Sequence, residues 1–163
     1  MDYRTATSRK LDEEHRESLA LLGRLERSVL DVPVGGTPDD GFAALAKQVA
    51  RAVSGEVDRH FRFEEEQLFP RLAAGGEGDL ADLLLDEHKT IRASAADLLP
   101  ALLAASTGRL DVAGFAALKP VALEFVERLE AHIHKETSAL LPAVDVVLDE
   151  DDDHEIALAY AES

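Results

Sequence analysis

Four stretches of the chain place apolar residues three and four positions apart, the spacing that gives a helix one buried stripe. The first runs from about Ser8, its expected cap, to Leu30, with Leu11, His15, Ser18 or Leu19, Leu22, Leu25 and Val29 on the stripe. It stops at Asp31-Val32-Pro33-Val34-Gly35-Gly36-Thr37-Pro38, a run of helix breakers. The second starts near Asp39 or Asp40 and carries Leu45, Val49, Val53, Val57, His60, Glu64 and Leu68 before Pro70 and the Gly75-Gly76-Glu77-Gly78 loop. The third opens at Asp79, carries Leu80, Leu84, His88, Ile91, Ala95, Leu98 and Leu102, and fades at Ser106-Thr107-Gly108; Pro100 predicts a kink or an early end. The fourth follows Asp111 with Leu118, Ala122, Phe125, Leu129, His132, Glu136 and Leu140. Pro120 falls in its early turns, where proline is tolerated, and Pro142 is expected to bend or end it.

Short connections force neighbouring helices to run antiparallel, so the predicted fold class is all-α, an antiparallel up-down-up-down four-helix bundle. The β-branched cluster Val144, Val146 and Val147 is short and follows Pro142, and it does not make a strand. Residues 1–148 are expected to form the bundle domain. Residues 149–163, opening with Asp149-Glu150-Asp151-Asp152-Asp153, are expected to be a solvated, mobile acidic tail, with one short helical turn at most over Ile156 to Ala161.

The stripes carry six polar exceptions: His15, His60, Glu64, His88, His132 and Glu136. Each helix contributes one histidine. In an up-down-up-down bundle the first halves of helices one and three lie at the same end as the second halves of helices two and four, which is where these histidines are. His60 lies ten residues before Pro70 and His88 ten after Gly78, so at about 1.5 Å per residue they reach one depth. The motifs His60-Phe61-Arg62-Phe63-Glu64 and His132-Ile133-His134-Lys135-Glu136 each set an imidazole and a carboxylate side by side on one helix face. A single buried histidine is more often a hydrogen-bonded core residue than a ligand. Six such groups in one layer without a cation would leave charges desolvated at a cost of several kcal/mol each. Imidazole with carboxylate suits iron better than magnesium or calcium, and six converging donors fit two ions better than one zinc.

Other polar residues nearby are expected elsewhere. His134 points away from His132 and His154 sits among acids, so both are assigned to the surface. Glu14, Glu65 and Glu87 adjoin the six but are turned about 100° from them, and Glu66 further, which makes them surface residues first and accessory ligands second.

Composition narrows the chemistry. The 163 residues include no cysteine, which excludes a disulfide scaffold, an iron-sulfur cluster on its own thiolates and a cysteine nucleophile. A net charge of −16, from 33 acids against 17 bases, repels nucleic acid and anionic membranes, so neither is an expected partner. Met1 to Ala20 has no apolar stretch of the secretory kind, and no run is long enough to span a membrane; a cytoplasmic location is the expectation.

The ordered set Glu14-His15, His60 to Glu64 followed by Phe69-Pro70, Asp86-Glu87-His88, and His132 to Glu136 followed by Leu141-Pro142 resembles the hemerythrin-like proteins with the HHE cation-binding domain. The resemblance spans nearly the whole chain. It implies a four-helix bundle holding two non-haem irons bridged by Glu64 and Glu136, with oxygen, peroxide or nitric oxide as the small-molecule partner. The chain departs from the oxygen carriers in having Arg92 one turn after His88, and Glu136 four residues after His132 in place of an aspartate at spacing five. On that comparison the iron nearest Arg92 is short of an imidazole, so catalytic or irreversible reaction is expected over oxygen carriage. Three functions fit: a reactive scavenger with modest peroxidase activity, an iron or oxygen sensor that binds without turnover, and a helical interaction protein with a vestigial site. Oligomeric state does not follow from these features.

Overall fold

The four stripes and the segment beyond them fold as five helices in the computed structural model, which describes residues 2–162. These are α1 (Ala6–Leu30), α2 (residues 42–74), α3 (Gly78–Ser106), α4 (residues 112–147) and α5 (Glu150–Glu162), with no strand among the described residues. None of these helices is long and apolar enough to cross a membrane.

Pro100 and Pro142, each expected to bend or end its helix, do not end it. Helix α3 runs through Pro100 to Ser106 and α4 through Pro142 to Val147. Pro100 sits on the exposed face, while Leu98, Leu102 and Ala105 bury the opposite one and hold the last turns in place despite a missing hydrogen bond. Helix α1 also begins two residues before the expected cap. Thr5 caps it instead, its Oγ1 accepting the Ser8 N–H at 3.1 Å.

The chain falls into two compact units, each taking a piece of every long helix. The unit made of Leu19–Asp58 and Lys89–Glu130 has an apolar interior that includes Leu25, Val29, Val49, Leu98, Leu118 and Phe125. In it Phe42 and Phe115 meet edge to face at 5.9 Å. The other unit holds the residues up to Ser18, Arg59–His88 and the residues from Ala131 onward. It receives the beginnings of α1 and α3 and the ends of α2 and α4, the alternation that an up-down-up-down path requires. Gly75 lets two of those ends close up, since a Cβ there would lie 2.8 Å from Val147 Cγ2. An apolar cluster of Leu11, Phe63, Leu68, Leu72, Leu84, Leu140, Val144 and Ile156 fills this unit.

Helices α2 and α4 share a local irregularity. A step of four residues overshoots one ideal helical turn by about 40°, so a strict repeat of four drifts off its stripe. His60, Glu64, Leu68 and Leu72 repeat at four, as do His132, Glu136, Leu140 and Val144, yet all are buried. Each helix absorbs the drift by widening a turn to π geometry, at Glu64–Leu68 and at Glu136–Leu140, where Phe69 N–H donates to the Glu64 carbonyl and Leu141 N–H to that of Glu136; α2 has a further π turn at Ala52–Glu56. Pro70 and Pro142 follow at once. Each lacks an N–H and crowds the carbonyl four residues back, which favours the wider turn. Pro142 therefore follows a widened turn of α4 and does not end it.

The segment expected to be a mobile acidic tail is helix α5, and it is packed. Ile156 and Tyr160, four apart on one face, are buried in the apolar cluster. The acids serve helix ends, where free N–H groups favour negative charge. Asp149 Oδ1 accepts the Asp152 N–H at 2.9 Å, and Asp153 accepts the Ala6 and Thr7 amides of α1 at 2.7 and 2.9 Å. The physical reason for the difference is that Asp149 and Asp153 find backbone donors while Ile156 and Tyr160 bury one face of the helix.

Candidate metal centre

His15, His60, Glu64, His88, His132 and Glu136 come together inside one unit, and all six are buried. Four helices deliver them: α1 gives His15, α2 His60 and Glu64, α3 His88, α4 His132 and Glu136. They divide into two overlapping groups, His15 and His60 with the two glutamates, and His88 and His132 with the same two; in each group the donor atoms lie within 4.8 Å of one another. Glu136 Oε2 is 3.1 Å from His15 Nε2 while its Oε1 is 2.8 Å from His132 Nε2. Glu64 Oε1 is 3.2 Å from His60 Nε2 and its Oε2 is 3.3 Å from His88 Nε2. Each carboxylate thus spans both groups, one oxygen toward each.

These residues fit a metal pair. Both oxygens of Glu64, both of Glu136 and Nε2 of His15 are buried without a hydrogen-bond partner. An orphaned buried carboxylate is costly unless a cation completes it. The Nε2 atoms of His88 and His132 face one another at 3.1 Å. Two nitrogens about 2.1 Å from one ion and at right angles to each other are about 3 Å apart, so the spacing suits two donors to one cation. The set of nitrogens and carboxylates without sulfur suits iron.

Behind the inward nitrogens lies an outer ring. Each Nδ1 has a partner from another helix: Thr137 Oγ1 at 3.1 Å for His15, Glu14 Oε2 at 2.9 Å for His60, Glu65 Oε1 at 2.7 Å for His88 and Glu87 Oε2 at 2.9 Å for His132. A carboxylate can only accept, so Nδ1 of the last three carries the proton and Nε2 turns its lone pair inward. Helix α1 supports α2, α2 supports α3, α3 supports α4, and α4 returns to α1. The three glutamates are thus neither surface residues nor direct members of the inner groups. A rotation of about 100° from a buried stripe points a side chain at the seam with the next helix. The signal in the sequence was an acid immediately beside an inward residue: Glu14-His15, Glu64-Glu65 and Glu87-His88.

The charges are mutually adjusted. Burial opposes ionisation of Glu14, but hydrogen bonds from His60 and Tyr160 outweigh it and pull the carboxyl down to about 2. Burial also opposes charge on His88, which Glu136 and Glu64 nevertheless push up to about 9. His60 and His132 rise too, burial being overcome chiefly by Glu64 for the former and Glu136 for the latter. Glu136 stays well below the usual carboxylate range because His132, His15 and His88 outweigh its burial. Without metal the site therefore holds protons that a cation must displace.

His134, His154 and Glu66 are exposed. Arg92 turns its Nε to Asp58 Oδ1 at 3.2 Å, both side chains being partly exposed. The two groups of inward residues contain two histidines each, so neither is short of an imidazole relative to the other.

A search among curated proteins finds no match to this sequence. The sequence model of the hemerythrin HHE cation-binding domain matches residues 6–144, from the first residue of α1 into the last turns of α4. With that span covered, the chain belongs to the hemerythrin family of HHE cation-binding domains.

Proposed function

We propose that this protein is a non-haem diiron protein that scavenges oxygen, peroxide or nitric oxide, with His15 and His60 on one iron, His88 and His132 on the other, and Glu64 and Glu136 shared. The observation that carries this reading is the set of orphaned oxygens on two fully buried glutamates, each with one oxygen toward either histidine pair. When bound, the iron pair supplies the redox chemistry and the open positions for a small oxidant. The chain's own contribution is to hold, orient and dry the site. Burial of all six residues keeps bulk water away, and the outer ring fixes the imidazole tautomers so that donor atoms are ready without rearrangement. Four side-chain donors around each position leave room for exogenous ligands on a metal that takes six.

Metal analysis of protein purified without chelator tests the reading. The expected result is iron at close to two per chain, with visible absorption that bleaches on reduction and changes on mixing with oxygen, peroxide or nitric oxide. Well-folded protein that takes up a single equivalent of zinc and no iron overturns it.

A further inference from the structure

The outer partner of His60 is itself held from the C-terminal helix. Glu14 divides its oxygens between two kinds of neighbour. Its Oε1 faces Lys10 Nζ at 3.6 Å and Arg59 Nη2 at 3.4 Å, while its Oε2 accepts both His60 Nδ1 and the phenol of Tyr160. Tyr160 is buried, its ring stacks on Phe63 at 4.0 Å, and the Arg59 guanidinium lies 5.0 Å over the same ring. The ring is thus held by Phe63 and Arg59, and its hydroxyl donates to Glu14 Oε2. The corresponding glutamate of α3, Glu87, also splits its oxygens, with His132 on Oε2 and the Lys135 ammonium on Oε1.

We propose that Tyr160 is a positioning residue for the His15 and His60 half of the metal centre, acting through Glu14 on the orientation of His60; this rests on the metal-binding reading above. A carboxylate held only through Oε1 by two flexible cations can pivot. A phenol donating to Oε2 fixes the plane in which His60 Nδ1–H finds its acceptor, and with it the direction of Nε2. The helix beyond the matched family span thus reaches the site through two hydrogen bonds.

The test uses the full chain with Tyr160→Phe, which keeps the ring between Phe63 and Arg59 and deletes only the hydroxyl. Anaerobic titration with cobalt(II), followed by its visible bands against a competing chelator, reads the two binding steps separately. The wild-type chain is expected to take two ions. Tyr160→Phe is expected to weaken one step by about tenfold and leave the other unchanged, with a melting temperature of the metal-free protein close to wild type. In the zinc-loaded protein the proton NMR resonance of His60 Nδ1–H should shift while those of His88 and His132 stay. Two unchanged steps overturn the inference while leaving the metal pair intact. Equal weakening of both steps together with a lowered melting temperature also overturns it, since that is loss of packing. A wild-type chain that fails to bind two ions overturns this inference and the proposed function together.

Discussion

The two halves of the metal centre are built from matching parts and differ in what stands behind them. His15 and His60 correspond to His88 and His132, Glu14 to Glu87, and Glu65 to Thr137, each pair holding the same place relative to the inward residues. In the His88 half both imidazoles lean on carboxylates, and Phe61 lies flat on His88 at 3.8 Å with Phe69 beside it at 5.4 Å. In the His15 half one of the two supports is the neutral hydroxyl of Thr137. A carboxylate behind an imidazole makes it a stronger donor than a hydroxyl does. The comparison teaches that the inward residues can match while their supports differ, the His88 half having carboxylates behind both imidazoles and the His15 half behind one.

The largest test removes what the halves share. Glu64→Ala or Glu136→Ala should take iron content from about two per chain to near zero, whereas His134→Ala and His154→Ala should leave it unchanged; metal analysis of purified variants measures this. Equal losses across all four would break the division into inner and outer residues. Removing metal should come next in size, lowering the melting temperature by several degrees or more because a ligand bound by the folded chain and not by the unfolded one is lost, as read by calorimetry with and without chelator.

Sharper is a swap between halves. Glu65→Thr gives His88 the kind of support that His15 has and should weaken the tighter of two cobalt-binding steps by about tenfold, bringing the steps together. If the weaker step moves instead, the halves have been ranked the wrong way round. Smallest is the clamp from α5. Burial pushes the Asp153 carboxyl up, but the donors of Thr7 and Ala6 outweigh it and hold it below the usual range. A group depressed in the folded state stabilises above its unfolded value and loses that contribution as pH falls through its folded one. Asp153→Asn should therefore cost about 1 kcal/mol at neutral pH and progressively less below about pH 4, in denaturant melts across that range.

Much of this was legible in the sequence because helices repeat. The stripes specified four helices, and one histidine on each stripe specified where they must meet. The π turns at Glu64–Leu68 and Glu136–Leu140 were also encoded, in two runs of buried residues at a strict spacing of four, but reading stripes as simply three-and-four hides a drift of about 40° per step. Helix α5 was hidden by composition, because the acids from Asp149 to Asp153 outweighed Ile156 and Tyr160, whose spacing of four carried the real signal. The outer ring escaped for a different reason. A helix divided into inside and outside has no category for the seam, and Glu14, Glu65, Glu87 and Thr137 all lie on seams.

That ring also has an order in time. Its links join residues separated by 46, 23, 45 and 122 positions, for His60, His88, His132 and His15 respectively. Three can form as successive helices become available, each between neighbours in the chain. The fourth joins the first helix to the last, and for a flexible chain its closure costs about 1.5 kcal/mol more than the shortest link. Because Thr137 lies on α4 and His15 on α1, the support of His15 closes only when the first and the last of these four helices come together. The contact that completes the ring is therefore the one of greatest sequence separation, the kind whose loop closure costs a folding chain most.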